Sequence, residues 1–156
     1  MAGLKLKLDT AAGRHIDNEQ SDEITFWDKA QYADLERRFG DMVRPRTVAC
    51  PRYNCHGMTF ASRRTGIDAQ VTIRQVLHED QYGQVLVADV LPGDVILYYD
   101  DRGDVEHSGV VVETPALDPF GVPLVYSKWG KYKEMLHKAN QCPYNFATAK
   151  YFRINA

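Results

Sequence analysis

This 156-residue chain holds three cysteines and five histidines, the residue types best suited to nucleophilic or metal chemistry. In Tyr53-Asn54-Cys55-His56-Gly57-Met58, a cysteine stands where a proline-containing loop gives way to a helical pattern. A thiolate at a helix start meets unpaired backbone N–H groups and the positive end of the helix dipole. Both lower its pKa and leave it nucleophilic near neutral pH. The same N–H groups suit an oxyanion. The plainer role for Cys55 is that of a small buried hydrophobe. In His107-Ser108-Gly109-Val110-Val111-Val112, a histidine stands at the rim of an apolar strand, and Gly109 admits close approach by another backbone or a helix. An imidazole with a pKa of about 6.5 can take a proton from a thiol and later return it to a leaving group. Alone, His107 reads as a strand-edge surface residue; its catalytic reading depends on Cys55.

Several elements must bring these two residues together. Leu4, Leu6 and Leu8 alternate with lysines, which predicts a short half-buried strand, and a polar loop follows over 9–22. Acids at Asp22 and Glu23, with Ile24, Trp27, Gln31, Leu35 and Phe39 at helical spacing, predict a helix from about Ser21 to Gly40. Pro45 and Pro51 make Met42 to Tyr53 a connection. A second helix is expected from Asn54 or Cys55 through Met58, Ala61 and Ser62 to Thr65-Gly66. A third starts with Asp68 as N-cap and carries Val71, Val76 and Leu77 as far as Tyr82-Gly83. After the turn Leu91-Pro92-Gly93-Asp94 come a strand over Val95 to Tyr99, a tight turn at Asp100 to Gly103, and a returning strand over Val105 to Glu113. Pro123 to Ser127 and Lys150 to Ile154 supply further strands. Helices first and antiparallel strands afterwards predict an α+β fold, and the length suits one domain over residues 1–156.

Three segments in order, Asn54-Cys55-His56-Gly57-Met58, Pro92-Gly93-Asp94-Val95-Ile96-Leu97 and His107-Ser108-Gly109-Val110-Val111-Val112, resemble the NlpC-type branch of papain-like cysteine peptidases and amidases. The likeness runs from Tyr53 to Gly130, about half the chain. It implies a papain-like fold, with the Cys55 helix packed on an antiparallel sheet. It also implies amide hydrolysis through a thioester, with Cys55 as nucleophile and His107 as base, and no cofactor. Members commonly cleave peptide stems of the bacterial cell wall; others act on different amides or acyl groups. The expected partner is therefore a peptide or peptidoglycan stem, with an inhibitor or immunity protein if the chain acts as an effector. An intracellular peptidase, an acyl-transfer enzyme and an inactive binding module of the same fold remain alternatives. The chain departs from the family pattern at Asn54, where aspartate is common, at His56, where serine is common, and in the unmarked third residue that orients the base. Ser127 is the polar group expected to accept a hydrogen bond from the second nitrogen of His107, and His137 is the other candidate. Trp129 is expected to wall a substrate cleft and Tyr53 to lend its hydroxyl to an oxyanion site, with packing as the plainer role for each.

The same residue types permit a rival site, in which Cys50, Cys55 and His56 on one segment and His137 and Cys142 on another together present four soft ligands to zinc in a tetrahedral array. A Cys50–Cys142 disulfide is less expected, since a reducing cytosol opposes it. With 44% hydrophobic and 26% charged residues the composition is that of an ordinary globular protein. The formal charge of −2 argues against nucleic-acid capture, and no glycine-rich phosphate loop is present. No apolar run approaches the roughly 18–20 residues of a membrane span, and the start lacks a signal-peptide core. The expectation is a chain cytoplasmic at synthesis, exported if at all by a signal-peptide-independent route.

Overall fold

The computed structural model describes residues 3–155. Among them are three α-helices, α1 (Phe26–Phe39), α2 (Cys55–Phe60) and α3 (Gln70–Glu79). Seven strands accompany them: β1 (Arg44–Pro45), β2 (Tyr82–Val85), β3 (Val95–Tyr99), β4 (Val105–Glu113), β5 (Leu124–Lys128), β6 (Glu134–Lys138) and β7 (Lys150–Ile154). They form one sheet in the order β1-β6-β5-β4-β3-β7-β2, with every neighbouring pair antiparallel. The α+β class expected from element order is the class found. β7 lies inside the sheet, between β3 and β2, while β1, β2 and β6 were not anticipated.

Alternation along the central strand explains the two-sided core. Ile96 and Tyr98 point into a cluster with Tyr32, Leu35, Val111, Val125, Trp129 and Met135; Val95 and Leu97 point the other way, toward Leu8, Ile16, Ile67, Ile73 and Val76. A strand covered on both faces reads as an unbroken apolar run, as Val95 to Tyr98 does. Each such side chain, fully buried, contributes about 1.5–3 kcal/mol.

The helices differ from expectation in phase and length. Thr25 caps α1 through a reciprocal box: its hydroxyl accepts from Asp28 N at 3.1 Å and Asp28 Oδ2 accepts from Thr25 N at 2.7 Å. The helix therefore starts at Phe26 rather than near Ser21. Its inward face carries Tyr32, Leu35 and Phe39, while Gln31 is exposed and Trp27 is 78% exposed. Helix α2 stops at Phe60 instead of reaching Thr65, because the chain folds back onto it. A Cβ on Gly57 would sit 1.7 Å from the Thr65 carbonyl oxygen, and the return passes through Ser62 and Arg63 at φ 51° and 64°. In α3 the N-cap is Ala69; Asp68 instead accepts from Asn54 Nδ2 at 2.8 Å, and Val71 faces solvent. The expected strand at Leu4–Leu8 does not form. The side chain of Asn18 takes the place of a neighbouring strand, bonding both Leu6 N (2.9 Å) and Leu6 O (2.8 Å), and Leu8 still reaches the core. No helix among the described residues is long and apolar enough to cross a membrane.

Candidate active site

Asn54 prepares the site. Its Oδ1 accepts from Gly57 N (2.9 Å), capping α2, and from Ile67 N (3.1 Å); its Nδ2 donates to Ile67 O (2.9 Å) and to Asp68. Asparagine supplies both the acceptor and the two-proton donor that this position uses, whereas an ionised aspartate only accepts. The cap fixes Cys55 as the first residue of α2, which packs against β4 and β5. Cys55 is 7% exposed and lies at a cleft of about 420 Å³ walled by Pro51, Tyr53, His56, Val105, Gly130 and Tyr144, with Glu19, Asp68 and Glu106 adding negative charge.

His107, on β4, is fully buried. Its ring stacks on Tyr144 with centroids 3.7 Å apart and planes 9° from parallel, and lies 5.6 Å from the Tyr98 ring. Burial by itself raises the Cys55 thiol pKa. The charge and proximity of His107, with the N–H groups of Ser108 and His56, outweigh that and bring it below the ordinary thiol value. Helix α2 has only six residues, so these particular donors matter more than its dipole. Burial pushes His107 down, the Cys55 charge pulls it partly back, and His137 and His56 push it down further. Yet neither ring nitrogen of His107 has a well-formed hydrogen bond among the described residues. An unmet buried polar group costs about 1–3 kcal/mol, and such an exception in a folded chain calls for an explanation.

The remaining residues singled out from the sequence fall elsewhere. Ser127 does not orient His107: its hydroxyl bonds His137 Nε2 at 2.8 Å and accepts from Trp129 Nε1 at 3.2 Å. His137 is buried, bonds Lys138 O through Nδ1 at 2.7 Å, and is held by burial at a pKa of about 4, so it is a neutral core residue away from the cleft lining. Trp129, 1% exposed, packs edge-on against Phe39 (5.7 Å) and His137 (5.8 Å) in the core rather than walling the cleft. Tyr53 does line the cleft, but its hydroxyl donates to Glu134 Oε1 at 2.8 Å and is not free for an oxyanion. The zinc set does not assemble: no cluster of three or more metal-ligating side chains exists among the described residues. His56 bonds Ser108, His137 bonds Ser127, the Cys142 thiol contacts the Ala139 and Tyr144 carbonyls, and all three cysteines are free.

Sequence reasoning missed Tyr144, Lys128 and Glu134 and gave His56 no role in the hydrolase site. Tyr144 lies in an irregular segment with no periodicity to mark it. Lys128 and Glu134 are charged side chains with almost no exposure, which patterning assigns to solvent. Lys128 Nζ donates to Cys50 O (2.7 Å) and Gly130 O (2.9 Å) and sits 4.6 Å from the centre of the Tyr53 ring; burial lowers its pKa to about 8. No family model matches this sequence, and comparisons with curated proteins and with solved structures return no match.

Proposed function

We propose that the protein is a cysteine hydrolase of the papain-like, NlpC-type kind that cleaves amide bonds. The observation that carries this reading is Cys55, first residue of α2 at the cleft, drawn below the ordinary thiol value by the charge of a buried His107 whose ring nitrogens are committed to no other group among the described residues. The Cys55 thiolate attacks the amide carbonyl, forming a C–S bond, while backbone N–H groups at the start of α2 hold the oxyanion. Protonated His107 gives its proton to the nitrogen as the C–N bond breaks, leaving a thioester and a free amine. Neutral His107 then takes a proton from water, hydroxide adds to the thioester, and the C–S bond breaks to release the acid and restore the pair. Stacking on Tyr144 holds the imidazole plane in place of an orienting side chain.

The favoured substrate class is a peptide amide, with cell-wall stem peptides first and an intracellular peptide or acyl-transfer substrate as alternative. Incubation with purified peptidoglycan, followed by mass spectrometry of new stem-peptide ends, tests this. Release by wild type and none by Cys55→Ala is expected. Cleavage of free peptides without release from the wall moves the substrate to the intracellular class. Among the described residues no side chain orients His107 through a hydrogen bond, Ser127 being bonded to His137, and this favours one second reading, a non-catalytic binding module. That module would show no hydrolysis of either material and an ordinary, slowly alkylated Cys55.

A further inference from the structure

His56 occupies the position after the nucleophile, is buried, and lines the cleft. Its Nδ1 lies 2.8 Å from Ser108 Oγ; that hydroxyl lies 2.9 Å from Thr59 Oγ1, and Thr59 donates to the Cys55 carbonyl at 2.9 Å. A closed polar circuit thus joins the first turn of α2 to the residue next to His107. The pairing of β4 with β3 is interrupted just before His107. Tyr98 pairs with His107 but Tyr99 with Val105, so Glu106 is an extra residue, and regular pairing with β5 covers only Val110 onward. A bulged segment needs further constraints to aim its side chains; the Gln70 amide supplies one by bonding Val105 N and O at 2.8 Å each, and the circuit supplies another beyond the bulge.

We propose that His56 is a positioning residue for the nucleophile: through Ser108 and Thr59 it fixes the start of β4 against α2, so that the Ser108 N–H and the His107 ring both meet the Cys55 sulfur. A serine at position 56, as the family pattern has, is too short to reach in the same way. This role rests on the cysteine-hydrolase reading but makes a separate prediction, because it concerns the thiol and not turnover.

The test is the pH dependence of Cys55 alkylation by iodoacetamide in the full chain, with the modified peptide mapped by mass spectrometry and thermal denaturation run alongside. Wild type is expected to titrate below the ordinary thiol value of about 8.5. His56→Leu and Ser108→Ala are each expected to raise the midpoint by about one unit, which cuts the rate at pH 6 about tenfold. His56→Asn, whose amide nitrogen takes the place of Nδ1, is expected to keep the wild-type midpoint. Should His56→Leu fail to fold, Ser108→Ala removes the same bond with a smaller change. A wild-type midpoint near 8.5 overturns the hydrolase reading together with this one. A low wild-type midpoint that persists in both disruptive variants, even if they melt earlier, overturns the positioning role alone.

Discussion

Lys128 and Glu134 stand directly opposite each other across β5 and β6, both almost wholly buried, and each is bonded to something else. Tyr53 occupies the space between them, with its ring beneath the Lys128 ammonium and its hydroxyl on Glu134. Glu134 also accepts from Arg63, just beyond α2, and from Arg46 at 3.3 Å. The loop that leads into Cys55 is therefore anchored twice, by its Cys50 carbonyl and by Tyr53.

Breaking such a set from one side leaves a buried charge unmatched, at about 3–5 kcal/mol. Glu134→Gln is expected to destabilise the fold on that scale, at the lower end because Arg46 and Arg63 are partly exposed and can rehydrate. Lys128→Met, which leaves the Cys50 and Gly130 carbonyls unmet, is expected to cost about 2 kcal/mol or more. Urea denaturation at pH 7 measures both; losses below about 0.5 kcal/mol for each would show the cluster to be structurally idle.

Acid stability depends on His56 and His137. Burial holds both at a pKa of about 4, against 6.5 as the unperturbed value. Between these values the unfolded chain binds protons that the fold excludes, so stability rises with pH through this window and is lost as pH falls from 6.5 toward 4. Each histidine contributes up to about 3 kcal/mol of that loss. The urea midpoint is expected to fall steeply from pH 6.5 to 4, and His137→Gln to make that fall shallower, leaving the share of His56 and of His107, which burial also lowers. An unchanged slope in that variant would mean that His137 is not held neutral.

Stacking on Tyr144 is the main restraint visible on the His107 ring plane. Aromatic pairs of this sort contribute about 0.5–1.5 kcal/mol beyond burial. Tyr144→Phe preserves the stack and is expected to leave Cys55 alkylation at pH 6 within about twofold of wild type. Tyr144→Ala is expected to slow it by up to about tenfold. Equal effects from the two substitutions would assign the role to the hydroxyl instead.

The contrast between what was legible in the sequence and what was not follows from the range of the interactions involved. The β3–β4 hairpin and the start of α2 are set by neighbours along the chain: β-branched runs, the Asp100 to Gly103 turn, and an asparagine cap. Cys55 could be picked out because it opens α2, and His107 because it stands just ahead of the apolar run of β4. Ser127 was misassigned because spacing gives the strand but not which neighbour its hydroxyl meets; His137, arriving from an unread β6, is that neighbour. Trp27 was placed inside because the true phase of α1 depends on the Thr25 box. The length of α2 depends on the contact between Gly57 and Thr65, which no periodicity reports.

Asn54 offers the most direct test of that long-range wiring. Asn54→Asp keeps an acceptor for Gly57 N and Ile67 N but removes the donor that serves Ile67 O and Asp68. It also sets two carboxylates at hydrogen-bonding distance, where like charges disfavour joint ionisation and one pKa rises. The substitution is therefore expected to destabilise the chain by about 1–3 kcal/mol at pH 7. The loss should shrink as pH falls toward 5 and one carboxyl takes up a proton. The double variant Asn54→Asp/Asp68→Asn restores a donor opposite the new acid and should recover the part of the loss due to the paired carboxylates, though not that of the unmet Ile67 carbonyl, giving a coupling energy that the two single variants do not sum to. Additive effects in that cycle would show that Asn54 and Asp68 do not act as a pair in setting the start of α2.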